Sequence, residues 1–171
     1  ASVPVREDGG VSLEVGNDKS KANVFFTSSY DLLYDWLAPQ NGTLWNSGLE
    51  FEPVKTEYDP CPDGWRVPTY AELDNLSLHY SSFTTNGGQG GYWFSGNNDY
   101  SESVSRVFFP AAGYRSDYDG FAGQREYWGN YWSSRPSGRS ANHFVFHSNN
   151  LVMTGNSRAY GYSVRCVQVT D

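Results

Sequence analysis

Apolar and polar positions change period several times along the chain. In VSLEV, Val11, Leu13 and Val15 recur every second residue, and ANVFFT is rich in β-formers, so residues 1–27 read as an extended segment, a linker or an edge strand. In SSYDLLYDWL the period lengthens. Leu32, Leu33, Trp36 and Leu37 share one face of a short helix that Ser28 or Ser29 caps. The Pro, Asn and Gly of APQNGTLWNSG then predict loop.

The strongest local pattern is CPDGWRVPTYAEL, residues 61–73. Thr69 with Glu72 three residues later is a capping box, and Pro68 discourages helix before it. Leu73 and Leu76 supply the inner face, so an extended Trp-Arg-Val leads into a helix from about Tyr70 to Leu78. Past residue 80, Gly and Asn clusters separate short aromatic β runs: GYWFSG, SRVFFPAAGYR, NYWSS, NHFVFHS, LVMTG and YSVRCVQV. GYWFSG followed by RVFFP is loosely echoed by GNYWSSRP followed by HFVFH. That predicts two hairpin-like units in one sheet system, short of a repeat architecture. The expected class is α+β: one or two early helices, many short antiparallel strands and long loops, with residues 28–171 forming one domain.

Strand alternation marks a candidate recognition face. In ANHFVFH, Phe144 and Phe146 point one way, toward a core, and His143, Val145 and His147 the other. Arg135, Ser137 and Arg139 precede this strand, Asn142 comes just before its His face, and Asn149, Asn150, Asn156 and Tyr160 follow. Arg, His, Asn and Tyr recognise sugars or proteins by stacking and amide hydrogen bonds, so these residues form the candidate ligand-binding set; the plainer reading is an ordinary polar loop face.

Composition narrows the function. Aromatic residues make up 17% of the 171-residue chain, with 13 Tyr and 6 Trp, which favours contact surfaces as well as core. Lys and Arg total 12 against 19 Asp and Glu, a formal charge of -7, and no basic run occurs, so nucleic acid is not an expected partner. No apolar window reaches membrane-spanning length. A chain opening on Ala1 is what a processed secreted protein or a shortened one presents.

Catalytic and metal chemistry find little support. His143 and His147 are four apart, which on a strand separates them by about 13 Å, too far for one ion. Asp117 and Asp119 before Gly120 resemble the start of a calcium loop but lack its downstream Glu; an Asx turn is the simpler reading. No nucleophile elbow, phosphate loop or zinc-protease motif occurs, and nothing pairs Glu102 with Glu126. No enzyme activity, metal or cofactor is expected. Cys61 and Cys166 are the only cysteines. Read alone, they form either one bridge, worth about 4–5 kcal/mol for a loop of roughly 100 residues, or two buried thiols in a reducing compartment.

Taken together, DWLAPQNGTLWNSG, PVKTEYDPCPDGWRVPTYAEL, YWSS and SRAYGYSVRCV resemble the Fibrobacter succinogenes major paralogous domain over about residues 35–169. The resemblance implies a C-type-lectin-like fold, related to formylglycine-generating enzymes and to the variable proteins of diversity-generating retroelements. It further implies that the first and last strands are neighbours and that Cys61 and Cys166 bond. By the same resemblance, the chain is expected to be an exported or cell-surface binding or adhesion domain of the kind found in Bacteroidetes. Its partner would be a protein or glycan, met through the C-terminal face. The alternatives are a pilus or surface-assembly subunit, with pilus subunits as partners, and a carbohydrate-binding accessory of a polysaccharide-degrading system.

Overall fold

The structure, a computed structural model, describes residues 5–6, 25–26, 35–76, 81–85, 89–95 and 105–169. In chain order the elements are β1 (Val5–Arg6), β2 (Phe25–Phe26), β3 (Trp65–Arg66), α1 (Tyr70–Asp74), β4 (Ser81–Thr84), β5 (Gly91–Ser95) and β6 (Arg106–Pro110). They continue with β7 (Tyr114–Arg115), β8 (Ala122–Gly123), β9 (Gly129–Ser137), β10 (Ser140–His147), β11 (Asn150–Ser157) and β12 (Val167–Gln168). Two antiparallel three-stranded sheets, β4-β5-β6 and β11-β10-β9, form the body. Antiparallel pairs β12-β3 and β7-β8 and the parallel pair β1-β2 accompany them, with isolated bridges that include Arg115–Gly161 and Tyr131–Ser163.

This corrects the expected α+β, C-type-lectin-like architecture. Among the described residues the chain is mainly β, and α1, with 5 residues, is the one helix. The capping box is present: Thr69 Oγ1 accepts from Glu72 N, and a Glu72 carboxylate oxygen accepts from Thr69 N at 2.8 Å. The helix stops early because Asn75 closes it, its N–H reaching back to Ala71 O, while Leu76 turns against the core. Most of the proposed helix at 28–37 lies outside the described residues. Residues 35–37 are not helical, since Asp35 Oδ1 accepts from Leu37 N at 3.0 Å, a local bond that competes with helical pairing. The VSLEV run also lies outside the described residues.

The two predicted hairpins exist, but in separate sheets rather than one. GYWFS is β5 and pairs with β6; NYWSSRP falls in β9 and pairs with β10. The sheets face each other across aromatic rings. Tyr92 meets Phe146 edge-on at 5.1 Å, Phe109 meets Tyr131 at 4.9 Å, and Phe94 approaches Phe144 at 6.0 Å. Leu73 of α1 joins that cluster. Each buried ring removes about 150–250 Å² from water, and edge-to-face pairs add about 0.5–1.5 kcal/mol, so these rings dominate the core.

Strand β10 departs from the expected half-buried pattern. Phe144 and Phe146 are fully buried, as alternation requires, but His143 and Val145 on the opposite face are also buried, at 2% and 7% exposure. A second layer covers that face, with Trp132 edge-on to His143 and Tyr162 tilted against it.

The chain's two conspicuous ends are joined. β12 pairs with β3, Val169 N donates to Gly64 O at 2.9 Å, and Cys61 bonds Cys166 across 105 residues with Cα atoms 5.8 Å apart. The expected bridge is therefore present. Buried Asp59 organises the approach: Oδ1 accepts from Cys61 N and Lys55 Nζ, and Oδ2 accepts from Val67 N at 2.8 Å. Arg66 pairs both carboxylate oxygens of Glu72, at 2.6 and 2.7 Å, binding the GWRV strand to the helix start.

Candidate functional site

The site grows from an irregularity in the β9-β10 ladder. Pro136 pairs with Ala141 and Trp132 with His143, so Ser133, Ser134 and Arg135 stand opposite Asn142 alone. Such bulges leave residues outside the ladder and re-aim their side chains. Ser133 Oγ donates to the Asn142 carbonyl at 2.8 Å, and Ser134 N to the Pro68 carbonyl at 2.8 Å. The YWSSRP and RVPT motifs thus meet at the bulge. Arg135 emerges from it with its guanidinium 5.1 Å above the Tyr70 ring.

Beyond the bulge lies a cleft of about 620 Å³. Its walls carry the rings of Trp36, Trp45, Trp132, Tyr160 and Tyr162, with Phe25 and Phe26 of β2 at one side. The rings form a continuous series: Tyr114 to Tyr160 at 5.6 Å, Tyr160 stacked on Tyr162 at 5.2 Å, and Tyr162 on Trp132 at 4.5 Å. Asn156 Nδ2 donates to Tyr162 Oη at 2.9 Å and fixes the ring. Phe26 stacks on Trp36 at 6.4 Å, bringing β2 to the same cleft.

Asp35, Ser134, Arg135 and Arg158 supply the polar groups that concern the chemistry. Arg158 donates Nε to Ser140 O, Nη1 to Asn41 O and Nη2 to Gly138 O, at 2.9–3.1 Å, and so ties the 41 loop to the β9-β10 turn. Its Nη1 lies 3.5 Å from Asp35 Oδ2. Burial lowers the Arg158 pKa, and the Asp35 charge opposes that shift. Asp35 is 2% exposed, and among the described residues its Oδ2 has no hydrogen-bond partner; neither has the buried Ser134 Oγ. Burial raises the Tyr160 and Tyr162 pKa values. Asp117 adds to the shift at Tyr160, and Tyr160 to that at Tyr162, so both phenols stay protonated. His143 sits behind the wall, Nδ1 without a partner. Burial pushes its pKa from 6.5 down to about 4 against a hydrogen bond with the Thr154 backbone.

The sequence-predicted residues divide in space. Arg135 and Tyr160 line the cleft, Asn156 positions its wall, and His143 backs it without reaching the surface. Asn142 faces the bulge, and Ser137 and Arg139 are exposed beside the turn, where the Arg139 carbonyl accepts from Gln40 Nε2. Asn149 and Asn150 lie at the far end of β10, roughly 23 Å away at about 3.3 Å per residue. His147, at that end, rests on Trp128. At the acidic stretch, Asp119 Oδ1 accepts from Phe121 N as an Asx turn, and Asp117 hydrogen-bonds Tyr160. Glu102 lies outside the described residues.

Sequence reasoning missed Asp35, Trp36, Trp45, Trp132, Ser134, Arg158 and Tyr162. The i, i+2 spacing of Tyr160 and Tyr162 was a usable signal, placing both rings on one side of an extended segment.

A family model described as the Fibrobacter succinogenes major domain matches residues 13–168. That span starts within the N-terminal segment and takes in both bonded cysteines. No curated protein and no solved structure matches the chain.

Proposed function

The chain belongs to the Fibrobacter succinogenes major domain family, and we propose that it is an exported, non-catalytic binding domain that serves adhesion or ligand capture. Its ligand is a protein or glycan, held at the cleft and the adjoining β9-β10 turn. The observation that carries this reading is the cleft itself: a concave aromatic wall with few polar groups, at the meeting of the 35–45 loop, the bulge and the 158–164 segment. Tyr and Trp give large contact area at small entropic cost. The Cys61–Cys166 bond supports an oxidising compartment, since such bonds rarely persist in a reducing one.

The test is array binding of the oxidised protein to glycans and proteins, with Trp45→Ala and Tyr160→Ala alongside. Both variants are expected to lose the ligand while keeping the wild-type melting temperature. Undiminished binding by folded forms of both would sink the reading.

Assembly into a surface structure is a second reading, and one observation favours it. Leu49, Phe51 and Val54 stand out on one loop at 70%, 86% and 55% exposure, a patch suited to a protein contact. A Phe51→Ser variant that still binds ligand but no longer co-assembles would favour it; unchanged assembly would count against it.

A further inference from the structure

A binding role for the cleft leaves the class of its ligand open. Resting on that role, we infer that the ligand is a glycan containing a carboxylate-bearing sugar, its ring stacked on the aromatic wall and its carboxylate held by Arg135.

Arg135 is the first ground. Arg135 is exposed on the rim between the cleft and the neighbouring hollow that Tyr70 lines, its guanidinium lies over the Tyr70 ring, and it makes no ion pair or side-chain hydrogen bond among the described residues. Arg66 and Arg158 differ, the one held by Glu72 and the other by Asp35 and backbone carbonyls. In a chain of formal charge -7, carboxylates are abundant, and this guanidinium is left without one at the mouth of an aromatic cleft. The Tyr70 ring holds the guanidinium by a cation–π contact, and its planar fork matches a carboxylate with two parallel N–H···O bonds.

The second ground is the pair of unfilled polar atoms. Ser134 Oγ and Asp35 Oδ2 are buried without a hydrogen-bond partner among the described residues, Oδ2 facing only the Arg158 guanidinium at 3.5 Å, and both residues line the same cleft. Buried polar atoms are nearly always paired, so two together mark places where a ligand's donors and acceptors belong. The carboxylate oxygen accepts from a hydroxyl; the serine hydroxyl donates or accepts. Sugars carry hydroxyls around the ring edge and C–H groups on its faces, which the Trp and Tyr rings complement. A peptide tail would leave the flat walls unmatched to its alternating backbone N–H and C=O groups.

The test uses the oxidised full chain and calorimetric titration. Two acidic probes, trigalacturonate and 3′-sialyllactose, are each compared with a neutral counterpart, the carboxyl-reduced trimer and lactose. At least one acidic probe should bind about tenfold or more tighter than its neutral counterpart, the scale of one charge-assisted hydrogen bond. Arg135→Gln should erase that preference at unchanged melting temperature, the acidic probe then binding no tighter than its neutral counterpart, and Arg135→Lys should keep part of it. Equal affinities, or a preference that survives Arg135→Gln, overturn the inference. So does failure of all four sugars to bind while Trp45→Ala and Tyr160→Ala abolish capture of an arrayed protein, which leaves the cleft reading standing. Array hits indifferent to those two variants instead remove the cleft reading and the inference with it.

Discussion

Replacing His143 by Leu should remove a specific acid sensitivity. The imidazole lies between Trp132 and Tyr162, 2% exposed, and burial holds its pKa at about 4 rather than 6.5. In the unfolded chain the ring regains its ordinary value. Between pH 6.5 and about 4 the unfolded state therefore binds a proton that the native state refuses, and stability falls as pH falls through that window. It is fully present above the unfolded value and levels off below the folded one. The full loss from this residue is about 3 kcal/mol, and about 2 kcal/mol of it has occurred by pH 5. In a domain of this size that lowers the melting temperature by roughly 4–8 °C. The assay is urea unfolding and thermal melting of the oxidised protein from pH 7 to 4.5, wild type against His143→Leu. Carboxylates begin to titrate at the acid end of the window in both proteins alike, so the difference between the curves isolates the imidazole. Leu is close in size and removes the unpartnered Nδ1, and the exposed Thr154 backbone that loses the ring's hydrogen bond can bond water instead, so the variant should be near neutral at pH 7. A wild-type stability that is flat from pH 7 to 5, or a variant that keeps the wild-type slope, refutes the placement. Should the variant fail to fold, following the His143 ring by NMR in the wild type still decides: titration near 6.5 contradicts a dry imidazole.

Three further outcomes test the frame around the site. Cys61→Ser with Cys166→Ser should lower unfolding free energy by about 4–5 kcal/mol in denaturant titrations, because the bond closes a loop of 105 residues; a loss under about 1 kcal/mol contradicts that estimate. Gly129→Ala should cost about 1–3 kcal/mol, since its new Cβ would stand 2.0 Å from Phe146 Cζ in the core; melting no lower than wild type would show that the ring moves aside. Glu72→Ala should cost about 1–3 kcal/mol by leaving buried Arg66 unpaired and opening the capping box, read by the same unfolding titration, with a neutral result as the refutation. Burial acts to raise the Glu72 pKa, but bonds to Arg66 and Thr69 outweigh it and hold the value below the ordinary one, so its contribution is present near neutrality and disappears only as pH falls through the acid range.

Features decided by neighbours in sequence were legible. Thr69 and Glu72 announce the helix start because a capping box needs only four residues, and period-two alternation found β10 and its Phe144–Phe146 face. The helix length was not legible: Tyr70 to Leu78 looked continuous, but Leu76 is drawn to the aromatic core after Asn75 closes the turn. His143 was placed on an open face because alternation reports two sides of a strand but not whether a second layer covers one. Tyr162 covers it, 19 positions along the chain. The cleft was further out of reach, since Arg158 Nη1 bonds the Asn41 carbonyl across 117 residues. The disulfide was a different case: its partners came from family resemblance, while spacing alone left two thiols as an open alternative.

The three-against-one step between β9 and β10 also sets how the protein can be re-engineered. Because the surplus over Asn142 is two residues, parity is kept on either side, and Trp132 and Pro136 each hold their own rung. Trimming one residue from positions 133 or 134 would break that parity, trade the step for an ordinary two-for-one irregularity and remove the Ser133–Asn142 or Ser134–Pro68 bond. Side-chain identity at exposed Arg135 is thus decoupled from the core, while Ser133 and Ser134 anchor the step, which makes position 135 and the turn beyond it a natural cartridge for exchanging specificity in a library built on the same frame.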